Sequence, residues 1–295
     1  MAQPWPDGRD VGPAGASNGA FGGAALDVDV LVPTKDRPAA LAVTLTGLAA
    51  QTAPGFRVIV SDQSATPVAD EPIVAAAIRI LRHHGHPVQV HRHVPPRGMA
   101  EQRAFLLSKA ERSAVLFLDD DVWLDVHGVA VLAHALATLR CGFVGFAVQG
   151  LSYRDDVRPH ELAPYEEWRG RVRPERVRRG GPAWARHLLH NAANPLHLAH
   201  RHRRRGRAWW PYKVAWIGAC VLYDRRRLVE CGGFDFWPAV PPRHAGEDVV
   251  AQLRLMERYG GAGLLPSRAY HLELPTTIRD RDAECYDYVI ADEAP

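Results

Sequence analysis

The sequence predicts an α/β fold in which a Rossmann-like, mixed but mainly parallel sheet is flanked by helices. Three observations carry this expectation. From Asp27 onward, short apolar runs ending in polar residues alternate with helical patterns, the order expected of strands joined by crossover helices. The run Ala114 to Leu118 is continuously apolar, as a central strand buried on both faces requires. Acidic residues follow successive strands, at Asp36, Asp62 and Asp119 to Asp121, and the carboxyl ends of the strands are where open α/β sheets bind ligands.

Taken in order, Asp29 to Pro33 reads as the first strand. Pro38 then opens a helix that places Leu41, Leu45 and Leu48 on one face, because its fixed φ suits a first helical turn. Phe56 to Val60 is the second strand, with a helix over Pro72 to His84, a strand over Val88 to His91 and a helix from Met99 to Glu111 behind it. The apolar run at Ala114 follows, then a helix near Val126 to Leu139 and a strand near Phe143 to Val148. Regular patterning lapses there and resumes at Val214 to Tyr223. A last helix starts at Glu247-Asp248 with Val249, Leu253 and Met256 as its apolar stripe.

A chain of 295 residues with 47% hydrophobic composition buries a sizeable core without covalent staples. The four cysteines, Cys141, Cys220, Cys231 and Cys285, form no Cys-x-x-Cys pair, which argues for reduced thiols in a cytoplasm. Residues 1–26 are rich in Gly, Ala and Pro and lack the basic and apolar regions of a signal peptide, so they read as a disordered tail. The most apolar stretch, Val126 to Val148, contains His134 and Arg140, which argues against a membrane span. The net charge of +3 conceals an asymmetry: Leu151 to Lys213 carries 15 Lys+Arg against 6 Asp+Glu, leaving 21 against 27 elsewhere.

Three consecutive carboxylates at the end of a buried strand repel one another unless a positive group neutralises them. Facing solvent, the same triplet would merely cap the next helix; the buried strand before it favours a divalent cation. Mg²⁺ or Mn²⁺ suits carboxylate oxygens and keeps coordination positions for water and phosphate. The loop after the first strand reads Pro33-Thr-Lys-Asp-Arg-Pro38, with no glycine-rich phosphate cradle, which argues against a sugar nucleotidyltransferase or a dehydrogenase.

Val30-Leu-Val-Pro-Thr-Lys-Asp-Arg37, Val58-Ile-Val-Ser-Asp-Gln-Ser64, Leu118-Asp-Asp-Asp121, Gly232-Gly-Phe-Asp235 and Gly246-Glu-Asp248 stand in the order and approximate spacing of the family 2 glycosyltransferases. The resemblance runs from Asp27 to Leu274. It implies a GT-A fold and a metal-dependent, inverting transfer of sugar from a nucleotide-sugar donor, with Mn²⁺ or Mg²⁺ as cofactor and an acceptor the sequence does not identify. Carried over by position, it implies that Pro33, Thr34 and Asp36 line the nucleotide pocket, that Asp62 reads the base and that Arg103 lies near the donor. Asp119 and Asp121 match the outer members of the Asp-x-Asp motif, on ribose and metal, and His271 a further metal ligand. Asp248 matches the general base, with Glu247 and Trp216 towards the acceptor. Two departures stand out: Ser61-Asp-Gln-Ser64 lacks the usual paired acids and glycine, and Ala104 follows Arg103 where Asn is frequent.

The resulting division is a donor-binding half at 27–148, a basic Arg/Trp-rich insertion at 149–213, an acceptor and catalytic half at 214–280 and a C-terminal tail at 281–295. The insertion would grip an anionic glycan or a lipid-linked phosphate through forked Arg donors and Trp faces, lie peripherally against an anionic membrane, or remain a solvated loop. A rival reading is a non-catalytic nucleic-acid- or membrane-binding protein on a degenerate scaffold. The intact acidic triplet would repel a phosphate backbone, which disfavours nucleic acid.

Overall fold

The computed structural model describes residues 26–276 and 283–290; apart from Leu26, the expected N-terminal tail lies outside the described residues, as does much of the C-terminal one. In chain order the strands are β1 (Val28–Thr34), β2 (Arg57–Asp62), β3 (Val88–Arg92), β4 (Ala114–Leu118), β5 (Val122–Leu124), β6 (Phe143–Gly145), β7 (Trp210–Tyr212), β8 (Cys220–Asp224), β9 (Gly261–Leu265) and β10 (Ala269–His271). The helices are α1 (Pro38–Ala49), α2 (Pro72–His83), α3 (Met99–Lys109), α4 (Gly128–Leu139), α5 (Asn194–Arg201), α6 (Arg225–Glu230), α7 (Glu247–Tyr259) and α8 (Cys285–Val289).

Eight strands make one sheet in the order β3-β2-β1-β4-β8-β6-β9-β7. The first four are mutually parallel, as short apolar runs with helical crossovers require. β8 runs antiparallel between β4 and β6, which makes the sheet mixed and brings the loop before β8 to the carboxyl end of β4. β5 and β10 form a separate antiparallel pair that sets His271 opposite Val122, one residue past the acidic triplet.

All seven residues of β1 are buried, including Asp29, whose two oxygens accept from Arg57 Nε and Nη2 at 2.7 and 2.8 Å. A buried carboxylate held by a forked guanidinium is the arrangement that such burial requires. Alternate residues of the central strands feed two apolar clusters, Val30 and Leu116 on one face of the sheet and Leu31 and Phe117 on the other.

Of the regularly patterned stretch Val214 to Tyr223, the part from Cys220 onward enters β8, and Ala219 takes a left-handed φ of 68° immediately before it. The basic stretch is also more integrated than an insertion hung on the fold. It supplies the edge strand β7, and Leu162, Val177, Leu189 and Leu198 are buried in the cluster that holds Leu31 and Phe117. Three of its tryptophans serve packing: Trp168 Nε1 donates to Gly261 O at 3.2 Å, Trp210 Nε1 to Tyr165 Oη at 3.0 Å, and Trp209 meets His134 edge-on. The expected C-terminal tail is likewise structured over 283–290, where Cys285, Val289 and Ile290 are buried. There Ala245 N donates to Ala283 O and Cys285 N to Ala245 O, at 3.0 and 2.9 Å, a parallel bridge onto the loop before α7.

Close ring packing on β9 leaves no room for side chains. A Cβ on Gly261 would lie 2.2 Å from the Phe143 ring, and one on Gly263 would lie 2.3 Å from the Tyr212 ring. Gly261→Ala and Gly263→Ala should each cost about 1–3 kcal/mol by overpacking and lower Tm by roughly 3–10 °C in calorimetric melts.

Candidate active site

The cleft forms where β1 and β4 end side by side and the amino end of α7 approaches from the opposite wall. Its volume is about 520 Å³, and Pro33, Thr34, Arg103, Asp119, Asp120, Asp121, Glu247, Asp248 and His271 all line it. Pairing of Leu31 with Phe117 sets the acidic triplet beside the end of β1. Thr34 Oγ1 then donates to Asp120 Oδ2 at 2.7 Å, and Thr44 Oγ1 from α1 to Asp120 O at 2.8 Å.

The three acids have different partners. Arg37 Nη1 donates to Asp120 Oδ1 at 2.9 Å and its Nη2 to Asp121 Oδ2 at 2.7 Å. With Thr34 and Arg37 on it, Asp120 is the structural member of the triplet, and burial pushes its carboxyl up to about 6. Asp121 Oδ2 also faces His271 Nε2 at 3.5 Å. Asp119 is the most open of the three, its side chain one-third exposed; burial within the protein still raises its carboxyl above the usual range, against the pull of Arg103.

Arg103 joins the two walls. From α3 its Nη2 donates to Asp119 Oδ1 at 3.1 Å and its Nε to Glu247 Oε1 at 2.9 Å, and its side chain is only 6% exposed. A buried guanidinium thus ties the end of β4 to the first residue of α7. Next to it, burial, followed by the charge of Glu247, raises the carboxyl of Asp248 to about 7, a value suited to accepting a proton near neutrality.

Three expected site residues stand off the cleft. Asp62 is fully buried, its Oδ1 accepting from Ser64 N at 2.8 Å and its Oδ2 from Val68 N at 2.9 Å and Arg92 Nη1 at 3.1 Å. Burial alone would raise its carboxyl, but these bonds outweigh it and hold the group below the usual range. With both oxygens committed to the backbone and Arg92, Asp62 organises the loop after β2 where it was expected to read a base. Asp36, at a left-handed φ of 54°, clips the same loop: its N–H donates to Ser64 Oγ at 2.8 Å and its Oδ1 accepts from Ala65 N at 2.7 Å. Trp216 packs behind the wall against Trp184, ring centroids 4.7 Å apart, and lies flat on His187 at 5.2 Å.

Other residues join the lining that sequence reasoning did not single out, among them Lys35, Arg37, Gln102, His190 and His244. His244 Nδ1 lies 2.6 Å from Pro241 O, so it carries the proton, and Nε2 accepts from Ala100 N at 3.0 Å. That neutral ring caps α3, and a Cβ on Gly98 would come within 2.7 Å of it. One histidine among 15 offers no pattern to find; its only signal is its place three residues before Glu247. His190 meets Tyr212 Oη at 3.0 Å, and burial pushes it down to about 4, so it is neutral.

The sequence matches the family model described as glycosyl transferase family 2 over residues 29–200. The chain belongs to glycosyl transferase family 2. No curated protein matches the family 2 chain. Among solved structures it resembles S. aureus TarS residues 1–349 in complex with UDP-GlcNAc, at 16% identity and a TM-score of 0.53, over 86% of this chain and 60% of that one. It also resembles GalNAc-T7 with UDP, GalNAc and Mn²⁺, at 14% identity and a TM-score of 0.55, over 86% and 46%. A longer TarS structure gives 18% identity and a TM-score of 0.51 over 83% and 36%. At such identities the likeness establishes the GT-A fold, and the family 2 chain spans between 36% and 60% of these neighbours' lengths.

Whether these side chains suit a divalent cation can be tested on their chemistry. No group of three His, Cys, Asp or Glu side chains converges on one point among the described residues. The carboxylates of Asp119, Asp120 and Asp121 all line the cleft, and burial raises those of Asp119 and Asp120. That fits a hard cation held by few protein groups and completed by water and a diphosphate. Asp121 suits such a role directly once Arg37 gives up its bond. His271 as it stands accepts from Glu273 N at Nδ1, 2.8 Å away, which leaves the proton on Nε2, so ligation through Nε2 requires that bond to yield.

Proposed function

We propose that the family 2 chain is a metal-dependent, inverting glycosyltransferase that acts in the cytoplasm on a nucleotide-sugar donor. The observation that carries this reading is the meeting, across one cleft and through Arg103, of the acidic triplet with the amino end of α7. Mn²⁺ or Mg²⁺ on Asp121, with Asp119 and His271 beside it, would neutralise the diphosphate as it leaves. Pro33 and Thr34 form the floor on the nucleotide side, and Lys35 and Arg37 supply positive charge for phosphate oxygens.

On the opposite wall Asp248 removes the proton of the acceptor hydroxyl as its oxygen attacks the anomeric carbon. Attack from that wall, with the leaving group held at the triplet, gives inversion. Glu247 holds Arg103, and the Trp216 segment is fixed to α7 because Ile217 N donates to Gln252 Oε1 and Gln252 Nε2 to Ile217 O, at 2.8 and 2.7 Å. The four cysteines are free, three of them buried, which suits a reducing compartment. No helix among the described residues is long and apolar enough to cross a membrane.

Calorimetric titration with UDP-, GDP- and dTDP-sugars, with and without Mn²⁺, tests the reading. Wild-type protein should bind one donor in a metal-dependent manner, and Asp121→Asn should weaken that binding by roughly a hundredfold. Well-folded protein that binds no donor would sink it.

A further inference from the structure

Half of the basic segment is neutralised within the fold. Arg176 and Arg178 pair with Glu257, Arg179 with Asp287, Arg186 with Glu175 and Arg204 with Glu167. Arg201, Arg203, Arg205 and Arg207, at the end of α5 and in the turn after it, are exposed. Among the described residues none of these four has an acidic partner.

The segment 151–157, which packs along the same helix α5, has the complementary character. Leu151, Tyr153 and Val157 are 50%, 47% and 56% exposed, three large apolar side chains within seven residues. Their loop runs along α5, with His197 Nε2 2.8 Å from Arg154 O and Asn194 Nδ2 donating to Glu161 Oε2 at 2.8 Å. Its acids do not offset the arginines, since Asp156 pairs with Arg158 and Asp155 with Arg154. The loop also reaches the cleft mouth: Ser152 N and Oγ donate to Glu273, and the adjacent Leu274 lines the cleft while 40% exposed.

We propose that loop 151–157 and the arginine turn 201–207 form a docking surface for an anionic phospholipid bilayer, seating the cleft mouth against the membrane. Aliphatic side chains beside unpaired arginines match an interface where apolar groups enter the headgroup layer and guanidinium groups meet lipid phosphate. A nucleic acid would use the arginines but leave Leu151 and Val157 in water. The surface stands apart from the catalytic residues, so it is read by binding alone and stands or falls separately from sugar transfer.

The test is co-sedimentation of the full chain with vesicles of phosphatidylcholine alone or with about 30 mol % phosphatidylglycerol. Binding is expected only to the anionic vesicles and should weaken as salt rises. Arg203→Glu/Arg205→Glu/Arg207→Glu and, separately, Leu151→Asp/Val157→Asp should each reduce it at least tenfold with unchanged thermal melts. Absence of binding to anionic vesicles overturns the proposal. So does binding that persists in the Leu151/Val157 variant and is displaced by a single-stranded oligonucleotide, which would mark a nucleic-acid surface.

Discussion

Asp248→Asn is expected to lower kcat by roughly a thousandfold while leaving donor affinity within about twofold of wild type. The amide keeps the shape of the carboxylate and cannot accept the proton, so the loss falls on the chemical step. In the wild-type protein, burial and then Glu247 push this carboxyl up to about 7. The base works only when deprotonated, so kcat should climb as pH rises through neutrality and level off above about pH 8. The residual activity of Asp248→Asn should lack that inflection. A variant with near-normal kcat, or an unchanged pH profile, would remove Asp248 from the role of base.

Arg103→Met should be the most destabilising single change in the cleft, by about 3–5 kcal/mol. The guanidinium is buried between Asp119 and Glu247, and without it two carboxylates and the neighbouring Asp248 share one region with no counter-charge. The folded-state values of Asp119 and Asp248, already raised, would rise further. Raised carboxyls favour the folded state while protonated and disfavour it as they ionise. The deficit should therefore be smallest near the ordinary carboxylate range and grow as pH rises through the raised values. Chemical denaturation at pH 5 and at pH 8 reads this directly; an equal deficit at both would mean that Arg103 acts through packing against Phe117, 5.4 Å away.

The sheet and the acidic triplet were legible because their causes are local. A continuous apolar run names a central strand, and the acids follow it without a gap. Asp36 and Asp62 show where that logic stops. Position at a strand end foretells the neighbourhood of a carboxylate but not its bonds, and beside Ser64 the partners of Asp62 lie 6 and 30 residues further on, at Val68 and Arg92. In the basic segment the arginines mask apolar residues at irregular spacing, and Leu162, Val177, Leu189 and Leu198 become core only through tertiary contact. The five residues of α8 are too few for any periodic signal. Arg37 belongs to the motif after the first strand, but its hold on Asp120 and Asp121 spans 83 and 84 residues and leaves no local signal.

Short peripheral segments commonly forgive alteration, since few contacts depend on them. Residues 283–290 are an exception, because Ala283 and Cys285 hydrogen-bond Ala245, three residues before the proposed base. Disturbing these residues would act as a lesion of the loop before α7, although none of them lines the cleft. In a random-mutagenesis screen for lost transfer activity, a proline at Cys285, which removes the N–H that Ala245 O accepts, should score with Asp248 substitutions.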